Sequence, residues 1–110
     1  MELNIEVSRR GKYTVVSVHG EIDAATAPQL RERLAVAAGD GERDVVIDLS
    51  EVGFIDSSGL GALVSARKET VGDHGSFSLI STAPNVLKLL QITQLDAVFD
   101  VFDSVESATS

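Results

Sequence analysis

Val45-Val46-Ile47-Asp48-Leu49, followed closely by Phe54-Ile55-Asp56-Ser57-Ser58-Gly59-Leu60-Gly61, is the stretch from which the fold can be read. The first segment is a nearly continuous apolar run, the pattern of a strand covered on both faces. After the second, Leu60, Leu63, Val64 and Val71 recur on one helical stripe that ends at Gly72. A covered strand followed by a helix fits strands alternating with helices, a sheet with helices packed against it.

The pattern continues in both directions. Downstream, residues 77–80 read as a fourth strand and residues 84–91 as a third helix, with Val86, Leu87 and Leu90 facing inward. Val98-Phe99-Asp100-Val101-Phe102 reads as a fifth strand. Asp103 and Glu106, three apart, are placed to cap a short last helix in the polar tail. Upstream, Leu3, Ile5 and Val7 alternate with polar residues, Arg9-Arg10-Gly11-Lys12 is a turn, and Thr14-Val15-Val16-Ser17-Val18 is a second strand. This pair is an N-terminal hairpin. Thr26 and Gln29 then fit a capping box, Pro28 is tolerated in the first helical turn, and Leu30, Leu34 and Ala38 follow at helical spacing before Gly39 and Gly41. The expectation is an α/β fold: one domain over residues 1–110, with a mixed sheet of about five strands and helices packed against it.

Composition narrows the function. Of 110 residues, 44% are apolar and 24% charged, which suits a globular domain with an ordinary core. The net charge of −8 would repel a phosphate backbone, so direct nucleic-acid binding is not expected, and a protein partner should offer a basic surface. No apolar run approaches the roughly 20 residues of a membrane span, and the acidic, alternating N-terminus does not read as a secretory signal. There is no cysteine, and His19 and His74 stand far apart without ligand spacing, so neither a metal nor another cofactor is expected.

Chemistry is concentrated at 54–61. Asp56, Ser57 and Ser58 are all preferred N-cap types, and Gly59 and Gly61 could serve only to let a helix pack closely. Capping therefore accounts for the segment on residue types alone. At the start of a helix the backbone N–H groups are unclaimed and face solvent. Enzyme readings fail on spacing. Neither serine has the flanking glycines of a nucleophile elbow, Val64 stands where a dinucleotide fingerprint needs its third glycine, and no Gly-Lys-Ser/Thr occurs. A second candidate is Gly20-Glu21-Ile22-Asp23, whose two acids project from the same side of an extended chain. Nothing in the pattern alone brings it beside the serines.

Taken in order, Gly20-Glu21-Ile22-Asp23, Val46-Ile47-Asp48-Leu49-Ser50-Glu51-Val52 and Phe54-Ile55-Asp56-Ser57-Ser58-Gly59-Leu60-Gly61 resemble the STAS domain. More narrowly, they resemble the bacterial anti-sigma factor antagonists of sporulation and stress control. The resemblance spans nearly the whole chain and implies a cytoplasmic, monomeric regulator, not an enzyme. In that family the unphosphorylated antagonist binds an anti-sigma factor that is also a serine kinase, and the sigma factor is released. The kinase phosphorylates the serine directly after the motif Asp, here Ser57, and a PP2C-type phosphatase resets it. By match, the partner-binding residues are Glu21, Asp23, Asp56, Ser58 and Gly59. The tail after Phe102 is shorter and more polar than in many relatives. Two other roles stay open: a STAS subunit of another signalling or lipid-transport assembly that never uses the serine, and a nucleotide-binding protein using Gly59 and Gly61.

The physics of Ser57 suits the implied switch. Phosphorylation adds a charge of about −1.5 to −2. A helix N-terminus tolerates an anion through its N–H groups and dipole. Inside an interface, each added unit charge held ~8 Å from an acid costs roughly 2 kcal/mol at an effective dielectric near 20, before screening by salt. Two such charges amount to about 4 kcal/mol, close to a thousandfold in affinity.

Overall fold

A computed structural model describes residues 3–39, 43–72 and 75–110. Gly41 and His74 lie outside the described residues, as does the side chain of Ala38. Strands β1 (Asn4–Arg10) and β2 (Tyr13–His19) form an antiparallel hairpin, with Ile5 opposite Val18 and Val7 opposite Val16. The turn between them uses Gly11 at φ +62°, a conformation that glycine reaches without steric cost. Helix α1 (Ala27–Gly39), strand β3 (Asp44–Glu51), helix α2 (Ser57–Gly72), strand β4 (Ser76–Ile80), helix α3 (Pro84–Ile92), strand β5 (Asp100–Phe102) and helix α4 (Val105–Ala108) follow. The strands lie in chain order and β2 through β5 pair in parallel, which together with the antiparallel hairpin makes the expected mixed sheet of five strands.

The main core lies between the sheet and α1, α2 and α3. Val16, Val18, Ile47, Leu49 and Leu79 face Leu30, Leu34, Leu63 and Leu90 there, and Phe77 meets Phe99 with ring centroids 6.0 Å apart. A smaller cluster on the opposite face joins Val15, Val46 and Ile80 to Ala108 of α4. With both faces of β3 covered, its unbroken apolar run is explained.

Several details depart from the sequence reading. Gln29 does not close a capping box: its side chain accepts from the Leu3 N–H at 3.0 Å and donates to the Leu3 carbonyl at 2.8 Å, pinning the chain before β1. The Thr26 hydroxyl turns back into the preceding loop instead, accepting from the Asp23 N–H and donating to the Glu21 carbonyl. Val71 is exposed and Val64 only half-buried, because the small residues Gly59, Ala62 and Ala66 bring a neighbouring stripe of α2 against the core. Leu87 is exposed because Val86 and Leu90 supply the buried face of α3, leaving Leu87 on the flank beside the sheet edge. The last strand begins at Asp100, not Val98, because a 3₁₀ turn over Leu95–Ala97 precedes it, although Phe99 is still buried. Ser104, not Asp103, caps α4, accepting from the Ser107 N–H.

Candidate functional site

The two segments that the sequence could not place together meet. Ile22 and Ile55 form an isolated parallel bridge, in which the Ile22 N–H donates to the Phe54 carbonyl at 3.0 Å and the Asp56 N–H donates to the Ile22 carbonyl at 3.1 Å. Both isoleucines are buried, so alternation turns their neighbours Glu21, Asp23, Phe54 and Asp56 toward the surface. The acids of one loop thus lie beside the serines of the other.

Gly59 makes this docking possible. A Cβ there would overlap Ile22 Cγ2 and stand 2.7 Å from Ile55 Cγ1, well inside contact distance. Gly61 is different: its nearest neighbour would be Arg31 Nη2 at 3.7 Å, an ordinary contact. One glycine is required by packing and the other is not.

Each predicted residue has a definite place. Asp56 is the N-cap of α2, its Oδ1 accepting from the Ser58 N–H at 2.9 Å and the Gly59 N–H at 3.2 Å. The expectation of unclaimed N–H groups is corrected here, because Asp56 takes two of them and leaves that of Ser57. Asp23 is likewise partly structural. Its Oδ1 accepts from the Ala25 and Thr26 N–H groups at 2.9 and 3.1 Å, which fixes the loop before α1. Glu21 is exposed, Ser58 is half-buried and Gly59 is buried. Ser57 is the first residue of α2 and is exposed, and its hydroxyl makes no hydrogen bond among the described residues. That hydroxyl is open to reaction.

Phe54 was missed by the sequence reading. Its side chain is 45% exposed beside the serines, and Asn85 of α3 steadies the preceding Gly53 carbonyl by a hydrogen bond of 3.4 Å. Strand alternation next to the buried Ile55 was the signal that could have found it. A hollow of about 690 Å³ between α3 and β5 contains none of the predicted residues. Among the described residues no group of three His, Asp or Glu side chains is placed to hold a metal ion, and no helix is long and apolar enough to cross a membrane.

Comparison with known proteins matches residues 4–108 to the STAS domain model. The chain is 33% identical over 106 residues to the anti-sigma-B factor antagonist of Staphylococcus aureus, covering 96% of this chain and 98% of that one. It is 35% identical over 101 residues to the anti-sigma-B factor antagonist of Bacillus subtilis, covering 92% of each. The crystal structure of an anti-sigma factor antagonist from Mycobacterium paratuberculosis superposes with a TM-score of 0.90 at 32% identity, covering 97% of this chain and 91% of that one. The phosphorylated form of the Bacillus cell fate determinant SpoIIAA shares the fold, with a TM-score of 0.72 at 23% identity and coverage of 97% and 96%.

Proposed function

The chain belongs to the STAS domain family, and on that premise we propose that it is an anti-sigma factor antagonist switched by phosphorylation at Ser57. The unphosphorylated protein binds an anti-sigma factor serine kinase and frees the sigma factor that the kinase holds. The kinase transfers the γ-phosphoryl group of ATP to Ser57 Oγ. The hydroxyl proton leaves to a base on the kinase, and ADP departs. A PP2C-type phosphatase hydrolyses the ester with water, returning the hydroxyl and inorganic phosphate. The antagonist itself is a cytoplasmic monomer and performs no catalysis.

The observation that carries this reading is the exposed Ser57 hydroxyl, standing where the bridge between Ile22 and Ile55 gathers Glu21, Asp23 and Asp56. The geometry supports an asymmetric response to a phosphate. Within the free domain, the Ser57 N–H and the α2 dipole favour an anion at this position by about 0.3–1 kcal/mol, while solvent screens its repulsion from Asp56. Within a closed interface, water is excluded and the same repulsions grow. Partner contact is assigned to Glu21, Asp23, Asp56, Ser58 and Gly59, with Phe54 as an apolar anchor.

The test mixes the protein with its anti-sigma kinase and ATP and maps the modified residue by mass spectrometry. Labelling at Ser57, abolished in Ser57→Ala, is expected. Undiminished labelling of Ser57→Ala would overturn the assignment.

A further inference from the structure

Ser57, Gly61, Ser65 and Glu69 follow one another at four-residue spacing on α2 and therefore share one stripe of the helix. Helix α1 lays Arg31 across that stripe. Arg31 Nη1 donates to Ser65 Oγ at 3.4 Å, and Nη2 stands 3.7 Å from where a Cβ on Gly61 would be. Glycine leaves the helix surface between the guanidinium and Ser57 bare. Positions four apart on a helix have Cβ atoms only about 5–6 Å apart, and a phosphate ester carries its oxygens beyond the serine Oγ. A long, flexible arginine can cross that gap.

The present contacts of Arg31 are weak ones. Its hydrogen bond to Ser65 is long, exposed and made to a neutral hydroxyl. Glu69, at the far end of the stripe, lines the same cleft as Arg31 and adds a negative charge to it. A phosphate at position 57 carries more charge than a carboxylate, and three acceptor oxygens matched to the guanidinium fork.

We infer that Arg31 is the domain's own receiver for the phosphate on Ser57, leaving Ser65 and swinging past Gly61 to bind it. This rests on the reading of Ser57 as the phosphoacceptor. The contact would tie α1 to the first turn of α2, and would offset the repulsion that Asp56 exerts on the new charge.

Phosphoserine placed at position 57 by codon reassignment tests this without any kinase, so its outcome is separable from that of the labelling experiment. Phosphorus NMR then follows the second ionisation of the phosphate, which has a pKa near 6 in the absence of a partner. The midpoint is expected to lie about 0.5–1 unit lower with Arg31 than in Arg31→Ala, with Arg31→Lys between them. Glu69→Gln should lower it further, and 1 M salt should shrink every difference. Arg31→Gln serves as the neutral control if the alanine variant folds poorly. Coinciding midpoints in the native and neutral proteins would overturn the inference.

Discussion

Replacing Gly59 by alanine tests whether close packing at the start of α2 holds the two halves of the site together. The added methyl would lie 2.7 Å from Ile55 Cγ1 and 3.1 Å from Ile55 Cδ1, and would overlap Ile22 Cγ2. Relaxed carbon contacts are about 3.5–4.0 Å, so the neighbours must retreat by roughly 1 Å. Both are β-branched and stiff at χ1, and both are buried, so the retreat must move backbone and strain the bridge between Ile22 and Ile55. Overpacking of this kind costs about 1–3 kcal/mol, against a gain of about 1 kcal/mol from replacing glycine within a helix. The net loss should be up to about 2 kcal/mol, a fall in melting temperature of up to roughly 10 °C for a domain of this size. Gly61→Ala is the internal control: its methyl finds ordinary space, so it should be neutral or stabilising by up to about 1 kcal/mol. Urea unfolding of the two variants side by side gives the answer. If Gly59→Ala is as stable as Gly61→Ala, the packing argument fails.

Three further outcomes follow from the same geometry. Asp56→Ala removes the acceptor for two N–H groups and should cost about 1 kcal/mol in denaturant unfolding, much of it restored in Asp56→Asn. Gln94 follows α3 with φ +63°, so Gln94→Gly should raise stability by about 0.5–1 kcal/mol, seen as a higher urea midpoint at unchanged slope. Phe54→Ala should leave the melting temperature within about 2 °C, since the ring is half exposed, yet weaken binding to the anti-sigma factor about tenfold in calorimetry.

The fold was legible because its signals are strong and local. The unbroken run at 45–49 and the alternation at 3–7 each report a single element, and the five strands expected all form in one mixed sheet. Misreadings came where tertiary contacts overrode local pattern. The Gln29 side chain was drawn from capping its own helix by the Leu3 backbone, and Val71 was displaced from the core by the small residues that let α2 sit close. At the site, residue types identified a helix start at 57–59 but not its neighbour. The contact between residues 21–23 and 54–56 depends on one bridge and one glycine, and neither leaves a periodic trace in the chain. Only the resemblance to the STAS family joined those motifs in advance.

If Ser57 is the switch, one phosphate is accepted by this domain and refused by its partner. Protein carrying phosphoserine at position 57 should therefore be compared with unmodified protein by isothermal calorimetry against the anti-sigma factor, alongside urea unfolding of each. Folding stability is expected within about 1 kcal/mol of the unmodified protein, with an affinity reduced by about a thousandfold. Equal affinities for the two forms, or a phosphorylated domain that no longer folds, would rule out a switch at Ser57.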